Sequence, residues 1–129
     1  MALRVQKYGG TSVADIQRIS RVADRVIKAH EAGDQMVVVL SAMAGVTDNL
    51  ISLAGQASDK PDKRELDVLL ATGEQTTAAL MAMILKSRGY KAKSFLGFQA
   101  GIHTDQTPGK ARILDIDGQK VKQALDRKS

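Results

Sequence analysis

Six residues near the start of the chain, Lys7-Tyr8-Gly9-Gly10-Thr11-Ser12, carry the clearest chemical signal. Two glycines after a strand-like run let the backbone turn so that successive N–H groups face one cavity. Such a nest beside a helix N-terminus favours a bound anion, phosphate above all. Lys7 adds a mobile positive charge where phosphoryl oxygens would sit. The spacing is not that of a Walker A loop, because the lysine precedes the glycines. A plain tight turn followed by a capped helix accounts for the same six residues, and on them alone both readings stand.

Other chemistries find less support. The chain has no cysteine, so it holds neither a disulfide framework nor a thiolate metal site. No His, Cys or carboxylate set has metal-ligand spacing. His30 falls at the polar edge of a helical stretch, a surface position. Met43, Met81 and Met83 are expected as core filling.

The elements that must position the glycine turn follow from hydrophobic patterning. Leu3 to Tyr8 alternates and reads as a first strand. From Ala14 to Ala32 the residues Ile16, Ile19, Ala23, Val26 and Ile27 share one helical face. Ser12-Val13-Ala14-Asp15 fits a capping box at its start, and Gly33 fits a stop at its end. Met36 to Leu40 is a continuous β-branched run, the pattern of a strand buried on both faces of a parallel sheet. Strand, glycine turn, helix and strand make a βαβ unit, whose crossover is right-handed in nearly all proteins.

Further on, Thr47 to about Ala57 is expected to be helical and Ser58 to Asp62 a loop. Between Arg64 and Arg88 a helical stripe runs through Leu66, Leu69, Leu70, Thr77, Leu80, Met81 and Ile84. Gly73 interrupts it at a cost of about 1 kcal/mol, unless Thr72 caps a second helix with Gln75 closing its box. Lys91 to Leu96 reads as a third strand. Gly97 to Gly109 reads as a loop or broken strand, Ala111 to Leu114 as a short strand, and Gly118 to about Asp126 as a short helix. The order predicts an α/β fold, a layered αβα sandwich with a mainly parallel sheet, in truncated form.

Composition bounds the function classes. Of 129 residues, 43% are hydrophobic and 26% charged, as in an ordinary soluble globular protein. With two Phe, two Tyr and no Trp, the core must rest on aliphatic residues and Met. No stretch approaches the roughly 18 apolar residues that cross a bilayer, and no signal-peptide pattern opens the chain. The expectation is a cytoplasmic protein with no membrane partner. The formal charge of +5 is scattered along helical segments among Asp and Glu, without an aromatic platform. That distribution argues against nucleic acid as a partner.

The glycine turn, taken with later stretches, resembles the aspartate kinases of the amino acid kinase superfamily. Besides Lys-Tyr-Gly-Gly-Thr-Ser, the matching segments are Val37-Val38-Val39-Leu40-Ser41-Ala42-Met43, Gly45-Val46-Thr47-Asp48 and Leu70-Ala71-Thr72-Gly73-Glu74. Ser94-Phe95-Leu96-Gly97, Gly101-Ile102-His103-Thr104 and Gly109-Lys110-Ala111-Arg112-Ile113 follow in order. Six such segments in register are specific where any one is modest. The resemblance implies transfer of a phosphoryl group from MgATP to the β-carboxylate of L-aspartate, the entry to lysine, threonine and methionine synthesis. ATP with Mg2+ enters as a substrate complex, with no tightly bound cofactor.

The resemblance also assigns roles. Lys7 would offset charge on the transferred phosphoryl group, and Tyr8, Gly9, Gly10 and Ser41 would line the phosphate side. Gly45, Val46, Thr47 and Glu74 would hold the amino acid, Glu74 by a charge-assisted hydrogen bond to its α-ammonium. Glu74 as a helix-dipole partner and Thr47 as an N-cap are the plainer alternatives. Ser12 is expected as a cap, and His103 in a structural role, since an ionised acceptor needs no general base.

Segments of the family that follow in complete members, among them Gly-Arg-Gly-Gly-Ser-Asp, Asp-Val-Asp-Gly-Val-Tyr and the regulatory ACT domains, are absent from this sequence. Residues 1–129 are therefore expected to be the N-terminal portion of an amino acid kinase domain, inactive alone. A self-associating homo-oligomer formed through exposed sheet or helix surfaces, or a partner for a separate chain, is one alternative. Another superfamily member acting on glutamate, acetylglutamate or a nucleotide is the second.

Overall fold

The structure, a computed structural model, describes residues 2–126. Strands β1 (Leu3–Tyr8) and β2 (Gln35–Leu40) pair in parallel, in register from Leu3 against Gln35 to Tyr8 against Leu40. Helix α1 (Ile16–Glu31) joins them. Then come α2 (Val46–Ala57) and the long α3 (Lys63–Ser87). A second sheet holds β3 (Ile102–Thr104) antiparallel to β4 (Ile113–Ile116), and α4 (Gln119–Asp126) ends the described chain. The α/β class and the parallel pair are as expected.

The helix after the glycine turn begins later than the patterning suggested. Ser12 N donates to Gly9 O at 3.0 Å and Val13 N to Gly10 O at 3.3 Å, so two tight turns occupy residues 9–13. Val13 is fully buried there. Asp15, not Ser12, is the N-cap: its backbone is extended and its Oδ1 accepts from Arg18 N at 2.8 Å. At the other end, Gly33 adopts φ 105°, the left-handed stop that its type predicts.

The core lies between α1, α3 and one face of the sheet. Val13, Ile19, Val22, Ala23, Val26, Met81 and Leu85 form it, and Tyr8, Met36, Val38 and Leu40 pack on it from the strands. Of the expected stripe on α1, Ile16, the first residue of the helix, is 50% exposed. The continuous apolar run of β2 is not buried on both faces. Strand alternation sends Val37 and Val39 to the side opposite the helices, where Val39 and, on β1, Leu3 and Val5 are exposed. Among the described residues that face is left largely open.

Helix α3 runs unbroken through Gly73. Thr72 is not a cap, since its Oγ1 donates to Leu69 O at 2.6 Å. The glycine's propensity cost is offset by close packing, because Gly73 is buried against Ala42, Val46 and Leu50. By length and composition α3 could also span a bilayer, contrary to the reading from the sequence. Its contacts with α1, α2 and β2 cover part of the apolar residues, Met81 and Leu85 among them, while Val68 and Met83, the latter expected as core filling, are exposed.

Lys91 to Leu96 forms no strand. A strand needs a ladder partner, and none of the described strands pairs with this segment, although Tyr90 and Ala92 pack on the core. The β3–β4 hairpin is braced at both ends. In its loop, Asp105 accepts from Thr107 N at 3.0 Å and Arg112 N at 3.3 Å. These bonds, led by that from Thr107, hold its carboxyl below the ordinary aspartate pKa. At its base Asp117 N donates to Gly101 O at 2.8 Å. Gly101 has φ 86°, and a Cβ there would fall 1.8 Å from Asp117 O.

Gly101→Ala is accordingly expected to open the hairpin and leave the helical core intact. A non-glycine residue held in this region costs about 1–3 kcal/mol, which converts to roughly 5- to 160-fold faster amide exchange over Ile102–Thr104 and Ile113–Ile116. Exchange in α1 and α3 should not change, and hydrogen-exchange mass spectrometry reads both at once.

Candidate active site

Parallel pairing puts the carboxyl ends of β1 and β2 side by side, with Lys7 against Val39 and Tyr8 against Leu40. The ladder continues one step past the strands, where Ser41 N donates to Tyr8 O at 3.1 Å. The loops leaving the two strands, residues 9–13 and 41–45, therefore emerge at one edge. Ligands of open α/β sheets bind at such an edge.

The glycine turn is built differently from a left-handed nest. Neither Gly9 nor Gly10 has a positive φ. What Gly10 supplies is space, since a Cβ on it would lie 3.2 Å from the carbonyl oxygen of Ala42. The N–H groups of Gly9, Gly10 and Thr11 donate to no backbone or side-chain acceptor among the described residues. The N-terminus of α1 is engaged by the Asp15 carboxylate. An anion at this turn would thus be met by loop N–H groups and by Lys7, while the helix end is already capped. Arg18 Nη1 ties the turn to α1 by donating to Thr11 O at 2.8 Å.

The second loop leads into α2 through Gly45, which has φ 79° at the helix N-cap position. Thr47 is therefore the second residue of α2 and not its cap. Without a side-chain cap on α2, the Thr47 hydroxyl is left for another partner. Ser41 and Thr47 are half-buried, and neither side chain hydrogen-bonds to another described residue.

Glu74 comes from α3, one residue beyond the contact of Gly73 with Ala42 and Val46. It is exposed and makes no ion pair or hydrogen bond with a described residue. It sits in the middle of α3, far from a helix end, so the helix-dipole alternative does not describe it. Lys7 is likewise exposed and forms no ion pair with a described residue. The fold thus brings Lys7, Tyr8, Gly9, Gly10 and Ser41 to one end of the sheet, and packs Val46, beside Gly45 and Thr47, on Gly73, the neighbour of Glu74. The side chains of Lys7, Ser41, Thr47 and Glu74 have no ion pair or hydrogen bond with a described residue.

Tyr8 faces the core side, with its hydroxyl donating to Gln6 Oε1 at 2.7 Å. His103 lies on the hairpin opposite Asp115. His30 is exposed, with Nδ1 3.3 Å from Asp34 O. Sequence reasoning missed Ala42, which touches both glycine positions. Its signal was available in the small residue between Ser41 and Met43. A separate cavity of about 260 Å³, lined by Lys93, Phe95, Lys120, Gln123 and Ala124, lies on another part of the molecule.

Residues 2–129 match the amino acid kinase family. The chain belongs to that family. Within it, the chain is 57% identical to an aspartate kinase of Pseudomonas putida, over 97% of this chain and 30% of that protein. It is 52% identical to the aspartokinase of Geobacillus stearothermophilus, over 98% of this chain and 31% of that one. The chain thus spans about three tenths of the length of these relatives. Among solved structures, the aspartate kinase of Synechocystis superposes with a TM-score of 0.64 at 46% identity, covering 67% of this chain and 15% of that one. Escherichia coli aspartokinase III, crystallised with aspartate and ADP, superposes with a TM-score of 0.71 at 24% identity over 97% of this chain and 36% of its own, which supports the fold.

Proposed function

We propose that this chain carries the amino-acid-holding and phosphate-facing part of an aspartate kinase, which transfers the γ-phosphoryl group of ATP to L-aspartate. The observations that support the reading are that β1, ending in Lys7 and Tyr8, and the segment Ser41–Thr47 after β2 meet at one end of the parallel pair, and that this segment packs on Gly73, next to Glu74. Relatives above 50% identity named aspartate kinase or aspartokinase point the same way.

In this reading Glu74 accepts hydrogen bonds from the α-ammonium of aspartate, and the Thr47 hydroxyl donates to a substrate carboxylate. An oxygen of the β-carboxylate attacks the γ-phosphorus, the bond to the β,γ-bridging oxygen breaks, and ADP leaves with that electron pair. The acceptor is already ionised, so no base removes a proton. Lys7 and the N–H groups of the glycine turn offset charge on the moving phosphoryl group. Magnesium enters with the nucleotide.

Residues 1–129 act in this reading as the N-terminal portion of the kinase domain, in the cytoplasm. The exposed face bearing Leu3, Val5 and Val39 favours self-association, and light scattering across a concentration series tests that part separately. The substrate assignment is tested by calorimetry of the purified chain with L-aspartate, L-glutamate, N-acetyl-L-glutamate and MgATP. Binding of L-aspartate in clear preference to both glutamates is expected. Preference for a glutamate would move the assignment to another member of the family.

A further inference from the structure

We propose that Ala42 is a positioning residue which sets the spacing among the three segments of the candidate site, and that Gly10 and Gly73 are glycines to make room for it. The inference rests on the aspartate-binding reading above for its functional consequence, though not for its geometry. Ala42 is 6% exposed and sits immediately after Ser41. Its carbonyl oxygen lies 3.2 Å from where a Cβ on Gly10 would be, and its own Cβ lies 3.0 Å from where one on Gly73 would be. One alanine is therefore held between the phosphate-facing turn on one side and the helix carrying Glu74 on the other.

Both glycines are explained by this contact and not by backbone conformation, since neither has a positive φ. Gly73 is in fact a poor choice for the middle of a helix, where alanine is the best former. Carbon atoms pack best at roughly 3.5–4.0 Å. A methyl group on Gly73 would lie 3.0 Å from Ala42 Cβ, and relieving that contact would drive residues 41–47 and α3 apart by roughly a few tenths of an ångström. Thr47 and Glu74 lie on opposite sides of that seam. An amino acid that must touch both loses one contact when the seam widens, because productive geometry tolerates little displacement.

The two glycines meet different parts of Ala42, which makes the idea testable by selective rescue. Gly73 faces its side chain and Gly10 its backbone carbonyl. Ala42→Gly removes the nearest obstruction, leaving Val46 Cγ1 at 3.3 Å, and should rescue Gly73→Ala in large part. It leaves the carbonyl in place and should not rescue Gly10→Ala.

The experiment records amide NMR spectra of the whole chain and L-aspartate affinity by calorimetry for each single and double variant. Gly73→Ala is expected to shift the amide resonances of Gly10 and of Ser41–Thr47 and to weaken L-aspartate binding about tenfold. Adding Ala42→Gly should return both readouts most of the way to wild type. An unperturbed loop in Gly73→Ala, or a double variant as impaired as the single, overturns the proposal. If the wild-type chain binds no L-aspartate, the functional reading fails, and the amide shifts and their rescue still decide the positioning role. Should Gly73→Ala not fold, Gly10→Ala shifting the same loop resonances supports the proposal, and its leaving them in place overturns it.

Discussion

Replacing Glu74 by alanine is expected to weaken L-aspartate binding roughly 10- to 150-fold while leaving the chain as stable as before. The binding loss follows from removing one side of a charge-assisted hydrogen bond, about 1.5–3 kcal/mol. The stability result follows from position. Glu74 is exposed in the middle of α3 and makes no ion pair with a described residue, so its deletion breaks no internal contact. Alanine is also the better helix former, and such surface changes stay within about 0.5 kcal/mol. Calorimetry with a parallel thermal melt separates the two quantities. Glu74→Gln keeps an acceptor and loses the charge, so its affinity should fall between wild type and alanine. Equal affinity in all three proteins would remove Glu74 from the site.

The second large effect concerns the scaffold. Ile19→Ala should destabilise the chain by about 2–5 kcal/mol, the usual loss for a buried aliphatic truncation that leaves a cavity. Ile19 is fully buried among Val22, Ala23 and Met81. Set against a total of about 5–15 kcal/mol for a domain, that loss threatens the folded state at ordinary temperature. Ile16→Ala is the informative control. Periodicity assigns Ile16 and Ile19 to the same face, but Ile16 is 50% exposed and should cost under about 1 kcal/mol. Urea denaturation would show a large fall in midpoint for Ile19→Ala and a small one for Ile16→Ala. Comparable losses would mean that the first turn of α1 is packed more tightly than described.

These two isoleucines mark where sequence reasoning held and where it stopped. Alternation gave the bounds of β1 at Leu3–Tyr8 correctly, because period-two burial is a local property. The helix start was misplaced, because a capping box reads residue types three apart and cannot see that residues 9–13 are consumed by successive turns. Continuous hydrophobicity implied burial of β2 on both faces, yet burial depends on what covers each face. Lys91 to Leu96 has strand-like residues, but none of the described strands pairs with it.

The candidate residues Lys7, Ser41, Thr47 and Glu74 were nominated from the sequence, through its resemblance to the family. The packing around them was not legible there. Gly10, read as a turn former, and Gly73, read as a helix interruption, both lie where a Cβ would crowd Ala42, and neither has a positive φ. Contacts between residues 10, 42 and 73 join distant parts of the chain, and no local pattern reports them.

The claim that this edge of the sheet holds an amino acid is tested most directly by titrating the isotopically labelled chain with L-aspartate and following its amide resonances. The account predicts saturable shifts concentrated at Gly10, Ser41 to Thr47 and Glu74, with the resonances around Lys93 and Lys120 unmoved. Saturable shifts confined to the Lys93–Lys120 cavity, or none at all in a folded chain, would contradict it.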